Sequence, residues 1–273
     1  MALTTLQVEV LQLLALRRKR DGESYVAGGV ALSEALRAQR VSRDIDLFHD
    51  TVEALRASWD ADRKTLRAAG FAVKRIREVP SFVEASVEKD DDAVLVQWVR
   101  DSAFRFFPLI EDNLLGLTLH PFDLATNKVL AMAGRLEPRD WVDLLGCHSK
   151  IQHLGYLTWA ACGKDPGFSP EFIVDAAGRQ HYSQAEIDLL DFRGHAPSAA
   201  KLGAAWKTAS AESRDIIERL PEEAVGQCVL NSRGTLYSGT AEDVGADLDS
   251  GAVRFHPGTI GGVWPTVSSS DDV

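Results

Sequence analysis

Residues 28–48 read GGVALSEALRAQRVSRDIDLF, and this stretch contains two aspartates, Asp44 and Asp46, inside an apolar run. Side chains two residues apart on a β-strand lie on the same face, so both carboxylates point the same way. Two neighbouring carboxylates at the end of a buried strand repel each other unless a cation compensates them. Because Mg²⁺ and Mn²⁺ prefer oxygen ligands, the spacing predicts a divalent metal site.

A glycine pair, Gly28 and Gly29, follows a short apolar strand and opens a predicted helix. Glycines at such a turn let backbone N–H groups approach an anion, and the helix N-terminus adds positive potential. Ser33 lies near the start of that helix and is a further candidate for phosphate binding. Ser42 and Arg43 either bind phosphates or cap and solvate the chain before the aspartates. A metal site close to a phosphate cradle indicates chemistry on a nucleoside triphosphate.

The composition is that of a globular protein, with 273 residues, 45% hydrophobic residues, a net charge of −10 and three scattered cysteines. No apolar run approaches the ~18 residues of a membrane span.

Sparse cysteines without metal-ligand spacing predict a reducing compartment. The basic run at 17–20 follows the first apolar stretch, which argues against a signal peptide and for a cytoplasmic protein. The acidic charge disfavours indiscriminate coating of nucleic acid, so any RNA groove must be local.

The alternation of helical and strand periodicity predicts an α/β (α+β) fold in three parts. Residues 1–115 form a domain with a mixed sheet, with predicted helices at 3–19, 30–39 and 51–69 and strands at 25–27, 71–78, 82–88 and 93–99. Residues 116–222 are predicted to be helical, with Pro138 in the first turn of one helix. Residues 223–273 form a small β-rich segment, with a hairpin of strands at 228–230 and 235–237 and a frayed tail at 268–273.

A second block of polar residues lies in the helical part, at Lys128, Arg135 and Arg139-Asp140-x-x-Asp143-Leu144. Together with Gly-Gly-x-Ala-Leu-Ser at 28–33 and Arg-x-Ser-x-Asp-Ile-Asp at 40–46, it resembles the AbiEii/AbiGii abortive-infection nucleotidyltransferase toxins. These toxins belong to the DNA polymerase β-type nucleotidyltransferase superfamily. The resemblance spans residues 28–144, and the C-terminal third carries no motif that extends it.

The resemblance implies a polymerase-β-like nucleotidyltransferase domain that moves an NMP from an NTP to an acceptor hydroxyl. Asp44 and Asp46 would hold Mg²⁺, and Lys128 would stabilise the triphosphate as a compact charge. Asp140 and Asp143 share one helix face and would orient the metal, accept a proton or pair with neighbouring arginines. The resemblance also implies the toxin of a toxin–antitoxin or phage-defence system, with a tRNA 3′ end as acceptor and a separate antitoxin protein as partner.

One position departs from the wider superfamily, in which a later strand carries a third metal-binding carboxylate. The strand at 94–101 has the neutral amide of Gln97 in its middle, and Asp101 compensates only if the strand continues that far. Otherwise the site keeps two carboxylates and recruits Asp140 or Asp143 as base. Two alternatives therefore stay open: a nucleotidyltransferase that modifies a small molecule or a protein, and a nucleotide-binding protein with weakened catalysis.

Overall fold

The chain divides into two compact units in a computed structural model that describes residues 3–135, 137–178 and 181–266. Of the described residues, those within 1–103, 109–120 and 191–195 form the first unit. Those within 104–108, 121–190 and 196–273 form the second. This division differs from the predicted domains 1–115, 116–222 and 223–273, because three short segments, 104–108, 116–120 and 191–195, change units and the residues after 222 join the helices. The predicted frayed tail at 268–273 lies outside the described residues.

Helices and strands alternate in the first half of the chain, and helices dominate the second. In the described part of the chain the helices are α1 (Thr5–Asp21), α2 (Gly28–Leu36), α3 (Val52–Ala68), α4 (Pro121–Arg135), α5 (Pro138–Lys150), α6 (Leu154–Ala161), α7 (Pro170–Gly178), α8 (Gln184–Asp188), α9 (Ala199–Arg219) and α10 (Ala241–Asp249). The strands are β1 (Tyr25–Ala27), β2 (Asp44–His49), β3 (Ala72–Val79), β4 (Phe82–Lys89), β5 (Asp92–Arg100), β6 (Phe104–Arg105), β7 (Ile110–Asp112), β8 (Gly116–Thr118), β9 (Cys228–Asn231), β10 (Val253–His256) and β11 (Thr259–Ile260). Among these helices, none combines the length and the apolar character that crossing a bilayer requires.

Helix α1 begins and ends at residues whose chemistry fixes its bounds. The Thr4 hydroxyl accepts the backbone N–H of Gln7 at 3.1 Å, and the Gln7 side chain accepts the N–H of Thr4 at 2.9 Å. Gly22 ends the helix in the left-handed conformation, with φ of 70°, and donates to the Arg18 carbonyl. The predicted first helix is therefore confirmed, with small shifts at both ends.

A seven-stranded mixed sheet forms the body of the first unit, in the order β3-β4-β5-β2-β1-β8-β7. Strand β2 lies at its centre, antiparallel to β1 and parallel to β5. Ile45 and Leu47 on one face of β2 are buried, whereas Asp44 and Asp46 on the other face are half-buried. The predicted mixed sheet is confirmed, and so is the prediction that the two aspartates share a face.

The apolar face of the sheet packs against α3. Trp98 of β5 contacts Trp59 of α3 edge-on, with ring centroids 4.7 Å apart. The indole N–H of Trp98 donates to Asp62 at 2.9 Å, and the Arg17 Nε of α1 donates to the same carboxylate at 3.1 Å. Asp62 is fully buried, so these bonds satisfy a charge that would otherwise be costly there. They tie α1 and α3 to the side of the sheet opposite the aspartates.

The C-terminal strands belong to the core of the second unit. The side chain of Gln152 donates to the carbonyls of Val229 and Tyr237, both at 2.9 Å. The indole N–H of Trp159 donates to the Ala224 carbonyl at 2.8 Å. These buried polar contacts, together with shared apolar packing, explain why the segment after residue 222 is not a separate domain.

The predicted C-terminal hairpin is only partly correct. The segments at 228–230 and 235–237 meet at one isolated bridge between Leu230 and Leu236. The full ladder of β9 forms with β10, where Val253 pairs with Asn231 and His256 pairs with Cys228. Helix α10 lies between β9 and β10 in the sequence, and the chain after it pairs with β9.

A buried aspartate holds the short segment 104–108 in the second unit. Asp123, in the first turn of α4, accepts the backbone N–H groups of Phe106 and Phe107 at 2.9 and 3.0 Å. The ammonium of Lys164 lies 2.8 Å from the same carboxylate. Asp123 is fully buried, and these partners compensate its charge.

Candidate active site

The two predicted metal-binding aspartates lie at the centre of the sheet, beside the glycine turn. Asp46 pairs with Ala27, the last residue of β1, after which the chain turns into α2. Asp44 is at the first position of β2 on the same face. The pairing of the short strand β1 with β2 therefore places the start of α2 next to Asp46.

Gly28 is required at this turn for two separate reasons. Its φ is 63°, in the left-handed region that favours glycine. A Cβ atom at this position would also overlap the carboxylate of Asp46. The α-carbon of Gly28 thus packs directly against Asp46, and the backbone N–H groups that begin α2 lie beside this carboxylate. Ala27, at the N-cap, has no polar side chain to satisfy these groups, which leaves them suited to an anion.

Gly29 makes a second close approach, to the loop before β2. A Cβ atom at Gly29 would overlap the hydroxyl of Ser42, which places that hydroxyl at the glycine turn. Ser42 is buried, and its carbonyl accepts the side chain of Gln7 at 2.7 Å. The hydroxyl of Ser33 is also buried and donates to the Arg40 carbonyl at 3.3 Å, so it braces the same loop. Phosphate binding by Ser33 and Ser42 stays a prediction.

Arg43 pairs with a residue that the sequence did not single out. Its Nη2 donates to Asp191 at 3.0 Å, and its Nε donates to the other carboxylate oxygen. Asp191 begins the short segment 191–195, which belongs to the first unit. No local sequence signal identifies this partner, because the two residues are 148 positions apart.

Gln97 occupies the strand position predicted for a third carboxylate, beside Asp46. Asp46 on β2 and Gln97 on β5 are partners in the parallel ladder. Gln97 donates its side-chain N–H to Glu84 of β4 at 3.0 Å, and these two residues are also paired in register. Glu84 is thus a further carboxylate on the aspartate-bearing face, and no local sequence pattern indicates it.

Asp101 does not complete this row of side chains. Strand β5 ends at Arg100, one residue before it. The backbone N–H of Asp101 donates to the His49 carbonyl at 3.0 Å, at the far end of β2. Asp101 is four positions after Gln97 in the sequence, which corresponds to about 13 Å of extended chain. Strand β5 therefore does not continue far enough to place Asp101 in the row of side chains beside Asp46.

Lys128, Asp140 and Asp143 form a buried ion-pair cluster in the second unit. The ammonium of Lys128 lies 3.0 Å from Asp140 and 3.2 Å from Asp143. Arg135 adds two bonds to Asp140, at 2.8 and 2.9 Å. Burial alone would raise the pKa of Asp140, but the Arg135 hydrogen bonds and the Lys128 charge outweigh it and hold the pKa below its ordinary value. This geometry favours the ion-pair interpretation of the block, and its catalytic roles stay predictions.

One further group of described residues has metal-ligand chemistry, namely His148, His153 and Glu212. The nearest ring nitrogens lie 3.7 and 3.8 Å from the Glu212 carboxylate. The backbone N–H of Leu154, however, donates to Nδ1 of His148 at 3.1 Å, so the neutral ring carries its proton on Nε2. A metal needs an unprotonated nitrogen there, so this arrangement does not present His148 as a ligand. The metal-site prediction stays with Asp44 and Asp46.

Comparison with known proteins identifies the fold. No protein-family model matches this chain, and no curated protein does. A candidate nucleotidyltransferase from H. pylori matches with a TM-score of 0.51 and 13% identity, covering 80% of this chain and 97% of that one. JHP933 from Helicobacter pylori matches with a TM-score of 0.51 and 14% identity, covering 79% and 95%. MenT4, a nucleotidyltransferase toxin of Mycobacterium tuberculosis, has a TM-score of 0.46 and 12% identity, covering 80% and 83%. The first two likenesses show that this chain has a nucleotidyltransferase fold.

Proposed function

We propose that this chain is a Mg²⁺-dependent nucleotidyltransferase that moves an NMP from an NTP to an acceptor hydroxyl, with a tRNA 3′ end as the acceptor. The contact between the Gly28 α-carbon and the Asp46 carboxylate carries this proposal. It brings the N–H groups at the start of α2 next to Asp46, which shares a face of β2 with Asp44. A magnesium–triphosphate complex needs both, because its phosphates seek N–H donors and its cation seeks carboxylate oxygens.

Asp44 and Asp46 fit a hard divalent cation. They offer carboxylate oxygens from one strand face, and both are half-buried, so phosphate oxygens and water can supply the other ligands. A bound Mg²⁺ or Mn²⁺ would neutralise charge on the attacking and leaving oxygens. The carboxylates of Asp44 and Asp46 would hold it against the triphosphate.

The residues at the glycine turn would bind and orient the substrate. The N–H groups of Gly28 and Gly29 bind the β- and γ-phosphates, with Ser42 and Arg43 as further donors. The acceptor hydroxyl oxygen forms a bond to the α-phosphorus and loses its proton to water. The bond from that phosphorus to the bridging β-phosphate oxygen breaks, and pyrophosphate leaves. Alignment of these groups by the protein contributes much of the rate.

The sequence resemblance supports the biological part of the proposal. The chain acts in the cytoplasm as the toxin of a toxin–antitoxin or phage-defence pair, and a separate antitoxin protein restrains it. Expression of the wild type should then arrest growth, and Asp46→Asn should relieve the arrest. Equal growth of cells expressing the two proteins would contradict the toxin role.

The activity is tested directly with purified protein. The wild type is incubated with MgCl₂, each labelled NTP and total tRNA, and both labelled tRNA and released pyrophosphate are measured. We expect label on tRNA with at least one NTP, and none with Asp46→Asn. Asp91→Asn is the control, because Asp91 lies exposed in the turn between β4 and β5.

Three results would count against parts of the proposal. Absence of both products with every NTP would contradict the proposed activity. Equal rates for Asp46→Asn and the wild type would contradict the assignment of the site to Asp46. Pyrophosphate release with label on a small molecule or on protein would replace tRNA as the acceptor.

A further inference from the structure

Residues 191–195 form a short strap that fastens the loop in front of β2. The N–H of Val41 donates to the Asp191 carbonyl at 2.9 Å, and the N–H of Arg193 donates to the Gln39 carbonyl at 2.8 Å. Arg40 and Phe192 form an antiparallel bridge between them. The strap thus fixes the backbone of the loop that leads into the aspartate-bearing strand.

The first residue of the strap, Asp191, forms a side-on pair with the guanidinium of Arg43. Asp191 accepts from both Nε and Nη2 of Arg43, with the Nη2 bond at 3.0 Å. This arrangement fixes the plane of the guanidinium, because two parallel bonds define its orientation. A guanidinium has five N–H donors, so three remain, including both on Nη1.

The charge environment of Arg43 links it to the candidate metal site. The hydrogen bond to Asp191 is the largest cause that raises the pKa of Arg43, and the charge of Asp44 also contributes. Arg43 also directly precedes Asp44, the first residue of β2 and a proposed metal ligand. The strap therefore holds a guanidinium next to the candidate site along the chain.

The pair is too exposed to be explained by stability. The Arg43 side chain is 75% exposed and that of Asp191 is 42% exposed. Ion pairs in such positions add little to the free energy of unfolding, since water screens them. A positional role accounts better for two bonds on one guanidinium than a stabilising role does.

We propose that Asp191 is a positioning residue that holds Arg43 so that its remaining N–H groups face the triphosphate bound at the glycine turn. This inference rests on the proposed function, because it assumes that an NTP binds there. It adds a residue from the strap to the substrate site. It also predicts that the charge of Asp191, which alone would repel a triphosphate, increases affinity through Arg43.

The test measures the Kd of Mg²⁺–ATP, GTP, CTP and UTP by calorimetry, together with KM and kcat for the transfer reaction. We expect Arg43→Ala and Asp191→Asn each to raise Kd and KM for the preferred NTP by about three- to tenfold, with little change in kcat. The double variant should be no worse than Arg43→Ala, because the two residues act as one unit. Asp191→Glu should recover much of the affinity, since it keeps the carboxylate.

A matched control separates positioning from general loss of charge or stability. Asp175 forms an exposed pair with Arg214 at 2.9 Å in the second unit, with both side chains 51% exposed. Asp175→Asn should leave Kd unchanged. Melting temperatures of all these variants should stay close to that of the wild type, because both pairs are exposed.

The outcomes distinguish this inference from the function on which it rests. If the wild type binds NTPs and Asp191→Asn binds them equally well or more tightly, the positioning role is wrong and the proposed function stands. If Asp191→Asn loses affinity only in proportion to a lowered melting temperature, the role is structural and the inference fails. If the wild type binds no NTP, the proposed function fails and the inference fails with it.

Discussion

Asp46 on β2 and Gln97 on β5 lie side by side in register in the central parallel pair of the sheet. Neighbouring strands are about 4.8 Å apart, so a carboxylate at position 97 could share a cation with Asp46. The amide of Gln97 instead binds Glu84 on the next strand at 3.0 Å. The sheet thus has a neutral side chain between two carboxylates, and this arrangement limits the negative charge next to the proposed metal.

We expect Gln97→Glu to bind Mn²⁺ about tenfold more tightly than the wild type, because it places another carboxylate beside Asp46. Without metal, the same variant should be less stable than the wild type, since the new charge adjoins both Asp46 and Glu84. Electron paramagnetic resonance titration with Mn²⁺ measures the first effect, and urea unfolding measures the second. Ala68→Glu adds the same charge at an exposed position of α3, which packs on the opposite face of the sheet, and an equal gain in that control would show that the effect is not local.

Gly28→Ala should disrupt the site both through backbone strain and through a collision with Asp46. Gly70→Ala is the comparison that separates these two effects. Both glycines have positive φ, 63° and 88°, but a Cβ at Gly70 meets no atom within 4 Å. Gly70→Ala should therefore cost only the backbone strain, about 1 kcal/mol of unfolding free energy. Gly28→Ala adds a collision with Asp46 and should also weaken Mn²⁺ binding, by on the order of tenfold. Similar Mn²⁺ affinities in the two variants would contradict the packing of Gly28 on Asp46.

Lys128→Met should lower the free energy of unfolding by about 3–5 kcal/mol, because it removes the buried ammonium that pairs with two buried carboxylates. Lys128 is 7% exposed and contacts both Asp140 and Asp143. Urea unfolding measures the loss, and Lys207→Met on the exposed face of α9 is the control. A variant that keeps wild-type stability but loses transfer activity would favour the catalytic interpretation of Lys128 over the structural one.

Protonation of Asp140 should lower the free energy of unfolding at acidic pH. Its pKa in the folded chain is below the ordinary value of 3.8, so it binds a proton more readily when unfolded. The stabilisation is complete above the ordinary pKa and is lost as the pH falls below it, through the folded value. Urea unfolding between pH 7 and 3 should show a large difference between the wild type and Asp140→Asn at pH 7, which shrinks toward pH 3. A difference that does not change with pH would contradict the charged pairing.

Local patterns predicted the centre of the first unit well. The alternation of Asp44, Ile45, Asp46 and Leu47 follows the strand period, and the structure confirms which residues are buried. Pro138 begins α5 as predicted, since its fixed φ suits the first helical turn. In each case a short-range rule determines the local structure: strand periodicity for the buried face, and backbone geometry for the helix start.

Contacts between distant segments could not be predicted in the same way. The pairing of Asp191 with Arg43 and the row formed by Gln97 and Glu84 depend on which segments the fold aligns. The partner of β9 was also missed, because α10 intervenes before β10 and no turn motif joins the two strands. Side-chain chemistry alone does not specify such register.

The strap has a consequence for how the protein is made. A ribosome synthesises the glycine turn and both aspartates early, but Asp191–His195 emerges only well past the middle of the chain. Until then the loop that carries Ser42 and Arg43 lacks the backbone bonds that fasten it. A nascent or prematurely ended chain therefore has the glycine turn and both aspartates without this fastened loop, so the arrival of one late segment sets the moment at which the first unit is complete.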